Sequence, residues 1–292
     1  MKNKNKPLVS TITPVLNGEQ FISLHLNSIK SQSYPKIEMI VVDNYSTDGT
    51  VKIAKNLGAK VYFKGPERAS QDNYGVAKAK GKYVFITGCD MVLDDDYIEK
   101  CVEECEMKGY DAIYASVKSK VINFWSKVKG LERNMYIGDD FIESARFFKK
   151  VVFLKLGGYD TSLVLHADDY DMQKRLNDLG YKTGRIDSYE THTDEINSLK
   201  EIFMKSFYYG LNSLGYIKKY PRYAGKQLFP LRSAFFRNYG IIASHPLLLI
   251  GLIIFKFVQY FSALLGLLIA ILKLQKIGTF FHHNIYRKGN SI

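Results

Sequence analysis

Short apolar runs alternate with amphipathic stretches through the first hundred residues. The runs are rich in Val, Ile, Tyr or Phe and are bounded by Gly, Pro or Asn, which predicts strands at Leu8–Thr13, Ile37–Val42, Ala59–Phe63 and Lys82–Thr87. Apolar residues at helical spacing predict intervening helices at Glu19–Gln32, Asp48–Leu57, Glu67–Ala79 and Asp94–Met107. This alternation predicts an α/β fold with a mixed, mostly parallel sheet flanked by helices.

The pattern is less regular farther along the chain. Strands are predicted at Tyr110–Val117 and Tyr181–Ile186, and helices at 167–179 and from Asn197 through Leu214. Residues 118–150 show no clear period. We place the end of a soluble domain near residue 220, which divides the chain into residues 1–220 and a tail of 221–292.

The tail contains the apolar run PLLLIGLIIFKFVQYFSALLGLLIAIL at residues 246–272. As a helix it would be about 40 Å long, enough to span a bilayer. Lys256, Gln259, Ser262 and Gly266 fall on one face of that helix. Two arrangements fit: a spanning helix with this stripe facing protein, or an interfacial helix, either continuous or in two pieces broken near Gly266. A soluble core helix fits its length and basic flanks poorly.

Charge supports membrane association of the tail. The formal net charge is +12, yet residues 1–199 hold 28 basic and 28 acidic residues. Residues 200–292 hold 13 basic residues and one acid, Glu201. Basic residues beside an apolar helix favour an anionic membrane surface over nucleic acid as the partner.

The cysteines and the N-terminus bear on the compartment. Cys89, Cys101 and Cys105 cannot all pair, so we expect reduced thiols and a cytoplasmic domain. Cys101 and Cys105, four apart on a predicted helix, are interpreted as packing residues. The first residues lack the long apolar run of a secretory signal.

Two acids follow predicted strands at the edge where parallel sheets bind ligands. Asp43 ends IEMIVVD and Asp90 follows KYVFITGC. Asp43 would accept hydrogen bonds from a base or ribose, and Asp90 would bind a divalent cation. The alternative is that each acid caps the next helix or pairs with a nearby lysine. No dinucleotide, P-loop, zincin or nucleophile-elbow motif is present.

Several spaced motifs resemble family-2 glycosyltransferases with the GT-A fold. They are ITPVLNGEQFISLHLNSIKSQSYPKIEMIVVDNYSTDGT, GPERASQDNYGVAKAKGKYVFITGCDMVL, and later GGYD, ADDYDM and ETHTDE. The resemblance covers about residues 8–210. KSFYYG and the basic, apolar tail are similar to membrane-attached, archaeal-type members that act on lipid-linked acceptors.

The resemblance implies a role for each matching residue. Those expected to bind the nucleotide are Pro14, Asn17, Asp43, Arg68, Asn73 and Asp90. Asp90 matches the second acid of the D-x-D metal motif, whose first acid is replaced here by Gly88, and His192 matches a position that completes the metal site. Asp168 and Asp169 match an acid pair whose second member is the usual catalytic base, although a helix N-terminus would also attract such acids. Asp72 stands where the family usually has a basic residue, and Arg146 is left open between pairing with Asp168 and touching the sugar.

These roles predict a metal-dependent, inverting glycosyltransferase that uses Mg²⁺ or Mn²⁺. We expect it to move a sugar from a nucleotide-sugar to a lipid-linked, polyprenyl or dolichyl, glycan or another membrane-borne glycan, at the cytoplasmic face of the cell membrane. A cation would offset charge on the leaving diphosphate, and a carboxylate would act as general base. Two alternatives stay open: a polyprenyl-phosphate sugar synthase and an inactive nucleotide-binding membrane scaffold. The scaffold alternative is supported by Gly88, which stands where the family has an acid.

Overall fold

A computed structural model describes residues 6–114, 116–163, 167–193, 198–228, 233–238, 240 and 245–272. The chain forms two compact units. The first comprises Met1–Lys118, Glu143–Thr161 and Asp168–Thr193, and the second comprises Ser119–Ile142, Ser162–Ala167 and Asp194–Ile292. The basic tail therefore belongs to the second unit together with earlier segments of the chain. The functional boundary near residue 220 stays a prediction.

The described strands are β1 Val9–Val15, β2 Ile37–Asp43, β3 Lys60–Phe63, β4 Tyr83–Ile86, β5 Met91–Leu93, β6 Ala112–Tyr114, β7 Val117–Ser119, β8 Ala145–Lys149, β9 Thr183–Gly184 and β10 Glu190–His192. The described helices are α1 Glu19–Lys30, α2 Thr50–Asn56, α3 Arg68–Lys78, α4 Tyr97–Lys108, α5 Phe124–Tyr136, α6 Lys150–Lys155, α7 Ala167–Asp178, α8 Leu199–Asn212, α9 Leu214–Lys219, α10 Pro221–Leu228, α11 Ser233–Arg237 and α12 Pro246–Ile271.

The first unit is built on a mixed sheet. Within the described ranges its strand order is β3-β2-β1-β4-β8-β6-β9. Strands β1 to β4 are parallel, β8 is antiparallel to both of its neighbours, and β6 pairs in parallel with β9. A smaller sheet has the order β5-β10-β7. The predicted mixed, mostly parallel sheet flanked by helices is confirmed.

Both faces of the sheet carry apolar side chains, as the continuous apolar runs indicated. In β2, Val41 packs into one apolar cluster, while Ile40 and Val42 pack into the other. Cys101 and Cys105 of α4 are buried in the first of these clusters, which confirms them as packing residues. Burial raises the pKa of the Cys105 thiol to about 12, so this thiol is unreactive.

Residues 118–150 are more regular than the sequence indicated. They contain helix α5, whose start is capped by Asn123: its side chain accepts from the Ser126 N–H at 2.9 Å. They also contain β8, which lies inside the sheet between β4 and β6. Strand β8 was not predicted, because its apolar run is short, is interrupted by Arg146 and ends on Lys149.

The regular elements in the described parts of the second unit are helices, apart from Ser119 at the end of β7. Helix α12 is continuous for 26 residues, so the two-piece form of the interfacial arrangement, with a break near Gly266, is wrong. Gly266 instead allows close approach of α8, since a Cβ there would collide with the main-chain oxygen of Phe207. Of the described helices, α12 is the one long and apolar enough to cross a membrane.

Candidate active site

Asp43 and Asp90 lie at the same edge of the main sheet. Strands β2 and β4 both pair in parallel with β1, so their carboxyl ends point the same way. Asp43 is the last residue of β2 and Asp90 follows β4 by a short turn. The structure therefore places both predicted acids where open parallel sheets bind ligands.

Asp43 is fully buried and only half satisfied by the protein. Its Oδ1 accepts the Ser46 N–H at 2.7 Å. Its Oδ2 is buried, and no described residue donates a hydrogen bond to it. A buried carboxylate oxygen without a donor is costly, so this atom fits a ligand that brings its own N–H or O–H.

Asn17 ties together the loops that follow β1 and β2. Its Oδ1 accepts the Thr47 N–H at 2.9 Å, and its own N–H donates to Ser46 Oγ at 2.8 Å. It holds a positive φ of 50°, a conformation that asparagine tolerates better than most residues. Pro14 of β1 lies opposite Val42 of β2, the residue before Asp43. Both predicted residues thus lie beside Asp43 and shape the edge of the site.

Asp90 and His192 lie side by side, one just before β5 and the other at the end of β10, its partner in the smaller sheet. His192 Nε2 lies 3.2 Å from Asp90 Oδ2. Strand β10 places His192 in register with Met91, and the Thr193 N–H donates to the main-chain oxygen of Asp90 at 2.8 Å. The structure thus brings these two residues together, and their role as metal ligands stays a prediction.

This pair fits a divalent cation as a partial ligand set. A carboxylate and an imidazole are donors that Mn²⁺ accepts, and such sites use substrate phosphates and water for the remaining positions. Across the residues that the structure describes, no group of three or more His, Cys, Asp or Glu is placed to hold a metal ion. A Cβ at Gly88 would lie 2.5 Å from Asp90 Oδ1, so glycine at this position leaves room for that carboxylate.

The acid pair at the start of α7 is held by one arginine. Arg68 Nη2 lies 2.7 Å from Asp168 Oδ1 and 3.0 Å from Asp169 Oδ2. Asp168 Oδ1 also accepts the Asp169 N–H at 3.0 Å, so Asp168 has a capping role. Burial, assisted by the charge of Asp169, raises the pKa of Asp168 to about 7 against the opposing effect of Arg68. Arg68, predicted from the sequence to bind nucleotide, here contacts the acid pair.

Asp72 is a buried acid that the sequence marked as unusual but did not place in the site. It lies one turn after Arg68 on α3 and is fully buried. Neither carboxylate oxygen has a hydrogen-bond partner among the described residues. Burial, with the charges of Asp168 and Asp169 adding to it, raises the pKa of Asp72 well above its ordinary value despite Arg68. Burial therefore favours the neutral, protonated form of Asp72 beside the acid pair.

Asn73 fixes the turn that leads toward α7. Its Nδ2 donates to the Tyr159 carbonyl and its Oδ1 accepts the Tyr159 N–H, both at 2.8 Å. Gly158, with φ of 74°, permits this close approach, since a Cβ there would lie 2.5 Å from Asn73 Oδ1. The amide of Asn73 is thus engaged within the fold. Its predicted contact with the nucleotide stays a prediction.

Glu190 is a second buried acid that the sequence did not single out. The Thr87 hydroxyl donates to its Oε2 at 2.7 Å, and Arg146 Nη1 lies 3.9 Å from its Oε1. Burial raises the pKa of Glu190, and Arg146 opposes that shift. The structure thus pairs Arg146 with Glu190, which anchors β10 two residues before His192.

Comparison with known sequences identifies related proteins. A family model described as Glycosyl transferase family 2 matches residues 10–158. The putative teichuronic acid biosynthesis glycosyltransferase TuaG of Bacillus subtilis is 35% identical over 105 residues, which are 34% of this chain and 42% of TuaG. An uncharacterized glycosyltransferase of Haemophilus influenzae is 35% identical over 105 residues and 41% of its length. The chain thus spans about two fifths of the length of these relatives.

A longer alignment joins the chain to succinoglycan biosynthesis protein ExoA of Rhizobium meliloti. The two are 23% identical over 246 residues, which cover 76% of this chain and 74% of ExoA. This alignment extends well past the segment matched by the family model.

Solved structures share the fold. The mannosyltransferase PcManGT from Pyrobaculum calidifontis, in complex with GDP-Man and Mn²⁺, matches with a TM-score of 0.62 and 17% identity over 92% of this chain and 88% of that one. Residues 1–349 of TarS from S. aureus, in complex with UDP-GlcNAc, match with a TM-score of 0.50 and 18% identity over 71% and 66%. These likenesses confirm the predicted GT-A class of fold.

Proposed function

Because the chain belongs to glycosyltransferase family 2, we propose that it transfers a sugar from a nucleotide-sugar to a hydroxyl of a membrane-borne, lipid-linked glycan. The enzyme class predicted from the sequence, a glycosyltransferase, is confirmed at the level of the family. The observation that carries the proposal is the meeting of Asp90 with His192 at 3.2 Å on the sheet edge that also holds Asp43. Relatives named for teichuronic acid and succinoglycan biosynthesis support a glycan product.

The donor would occupy the edge between Asp43 and Asp90. Asp43 Oδ2 would accept a hydrogen bond from the base or ribose, because this buried oxygen lacks a donor among the described residues. Asp90 and His192 would hold Mg²⁺ or Mn²⁺, which when bound offsets negative charge on the diphosphate leaving group. The neighbours solved with GDP-Man and Mn²⁺ and with UDP-GlcNAc support this kind of donor.

Asp169 would be the general base for the acceptor. The hydroxyl oxygen forms a bond to the anomeric carbon as the bond from that carbon to the diphosphate breaks, and the proton passes to the Asp169 carboxylate. A single displacement inverts the anomeric configuration. Asp168 is a poorer candidate since its Oδ1 is already occupied by Arg68 and by the Asp169 N–H. Arg68 and Asp168 therefore position the base.

The second unit would hold the enzyme at the cytoplasmic face of the cell membrane. Residues 202–292 contain 12 basic residues and no acid, and they include the apolar helix α12. Basic residues near an anionic surface contribute about 1 kcal/mol each, and apolar burial contributes more. High salt screens the charges but leaves apolar burial, so the chain should remain with membranes through a salt wash. Release by salt alone would contradict membrane insertion of α12.

Turnover of the purified full chain tests the proposal. Nucleotide-sugars of UDP, GDP and dTDP are incubated with Mn²⁺, and release of the nucleoside diphosphate is measured with and without a lipid-linked glycan. We expect one donor to be consumed, faster with the acceptor, and Asp169→Asn to lose transfer while still binding donor. Consumption with polyprenyl phosphate alone would favour the synthase alternative. Binding without turnover of any donor would indicate the inactive scaffold.

A further inference from the structure

One long apolar face of helix α12 is not covered by any of the residues that the structure describes. Large apolar side chains recur on it in alternating steps of three and four residues, each between 42% and 69% exposed. This exposed row consists of Ile250, Ile254, Phe257, Phe261, Leu264 and Leu268. An apolar strip of this length on the surface of a folded chain marks a binding surface.

The opposite face of α12 is covered by α5 in its first half. A Cβ at Gly251 would lie 2.7 Å from Val128 of α5. Farther along α12, Lys256 forms an ion pair with Glu132 of α5. It also donates a hydrogen bond to the Gln259 side chain at 2.9 Å. Lys129 of α5 lies 2.7 Å from the second oxygen of Glu132. The one charged residue of α12 is therefore paired on the side of the helix that faces the protein.

Helix α8 covers that face in the second half of α12. Gly210 meets the main chain of Ala263, and Gly266 meets the main chain of Phe207 and Leu211. Ile202, near the start of α8, packs in one apolar cluster with Leu252 and Phe255. Protein helices thus line α12 from about residue 251 to residue 266.

This packing is incompatible with a simple membrane span. A span needs about 20 residues in hydrocarbon, and α12 has only five residues beyond Gly266. Inserting α12 across the bilayer would carry α5 and α8 with it, including exposed Lys127, Lys200 and Glu201. Charged side chains at the centre of a bilayer are strongly unfavourable.

We infer that α12 lies flat in the cytoplasmic leaflet, with the exposed row immersed in acyl chains and α5 and α8 on the aqueous side. This inference rests on the membrane location in the proposed function, and it decides between the two arrangements that the sequence left open. The bound surface is an anionic bilayer, since residues 202–292 carry 12 basic residues and no acid.

A second copy of the chain is a poorer occupant of the row. Steps of three and four residues also occur in coiled coils, but there charged residues flank the apolar seam. In α12 the positions beside the row are apolar, such as the 61% exposed Ile253, and Lys256 is held by Glu132. A row without charged edges suits lipid better than a second helix in water.

Vesicle binding by the full chain tests the row. The probe is vesicles of phosphatidylglycerol and phosphatidylcholine, separated by flotation in high salt. The double variant Phe257→Asp, Phe261→Asp should bind at least about a hundredfold more weakly, because two apolar side chains lose their burial. The matched control Val151→Asp, Leu154→Asp changes two exposed apolar residues of α6 and should bind within about twofold of the parent. Unchanged vesicle binding of the row variant would overturn the inference. A parent chain that is a dimer, with a row variant that is a monomer and still binds vesicles, would overturn it as well.

Labelling in sealed membrane vesicles tests the flat orientation independently. Single cysteines at Glu103→Cys and Ser291→Cys are treated with an impermeant maleimide, with the parent chain as background. A flat helix leaves both sites reactive from the same side, whereas a spanning helix puts them on opposite sides and would overturn the inference. Donor consumption by the row variant in detergent is measured in parallel, so that loss of the proposed enzyme activity is distinguished from loss of lipid contact.

Discussion

His25 donates from its imidazole Nδ1 to the main-chain oxygen of Met91, the residue after Asp90, at 2.7 Å. A carbonyl can only accept, so the proton is on Nδ1, and Nε2 accepts from the Thr13 hydroxyl at 2.9 Å. The ring is completely buried and links α1 to strands β1 and β5. A neutral imidazole is thus part of the scaffold beneath the candidate metal pair.

This geometry predicts acid destabilisation of the fold. Burial lowers the pKa of His25 to about 4, against about 6.5 in the unfolded chain. Between these values the unfolded chain binds a proton that the folded chain does not, so stability falls as the pH drops from about 6.5 to about 4. The contribution is about 3 kcal/mol. Urea unfolding against pH should show this slope in the parent and lack it in His25→Gln, and equal slopes would contradict the assignment.

The buried Asp72, like His25, predicts that the free energy of unfolding depends on pH. Its raised pKa means that the folded chain keeps a proton that the unfolded chain releases above about pH 4, so Asp72 lowers the free energy of unfolding increasingly as the pH rises. Asp72→Asn removes this ionisation. The variant should therefore gain stability relative to the parent as pH rises from weakly acidic to weakly alkaline. Asp178→Asn, an exposed acid on α7, is the control. A constant difference between Asp72→Asn and the parent at all pH values would argue against a neutral Asp72.

The acid pair predicts separable kinetic effects. Asp169→Asn should lower transfer by at least about a hundredfold and leave the donor Kd unchanged, since a base acts on the acceptor. Asp168→Asn should lower transfer less than Asp169→Asn does. It should also remove an ionisation near pH 7 from the pH profile of kcat/KM, in which the parent is more active above that pH than below it. Asp178→Asn again serves as control. A larger loss in Asp168→Asn would reverse the roles of the two acids.

The glycines between α8 and α12 predict a packing effect. Gly266→Ala forces a methyl group into the main chain of α8 and should cost about 1–3 kcal/mol. Gly225 of α10 has nothing within 4 Å of an added Cβ, so Gly225→Ala should stabilise its helix by up to about 1 kcal/mol. Thermal unfolding of the full chain in detergent measures both. A lowered midpoint in both variants would point to a general sensitivity to substitution and not to the helix contact.

Much of the first unit could be predicted because its elements are locally encoded. Strands such as β2 are largely apolar up to their last residue and are bounded by turn residues, so the hydrophobic pattern and the turn residues indicate the same boundaries. Strand β8 lacked such a signal: it has five residues, with Arg146 and Lys149 among them, and its place in the sheet depends on partners far away in sequence. The break near Gly266, one of the forms that the sequence left open, is absent since a glycine inside a helix can allow a neighbouring helix to approach instead of ending its own helix.

The candidate site likewise contains some residues that could be predicted from the sequence and others that could not. Asp43, Asp90 and His192 were found because spaced motifs and strand ends mark them. Asp72 and Glu190 were missed because no sequence period shows that a lone acid is buried, and Arg146, which lies near Glu190, comes from a strand distant in sequence. Arg68 illustrates the limit as well: its motif position was identified, but its contacts with Asp168 and Asp169 arise only when α3 and α7 pack together.

The most direct test of the account is calorimetric binding of the preferred nucleotide-sugar to the full chain across a titration of Mn²⁺. The parent should bind tightly only when Mn²⁺ is present. Asp90→Asn should lose the metal-dependent part of the affinity, and His192→Ala should need more Mn²⁺ to reach it, because these two side chains lie 3.2 Å apart at the candidate metal site. Asp95→Asn, an exposed acid five residues beyond Asp90, should behave as the parent. Equal affinity and equal Mn²⁺ dependence in Asp90→Asn and the parent would contradict the central claim.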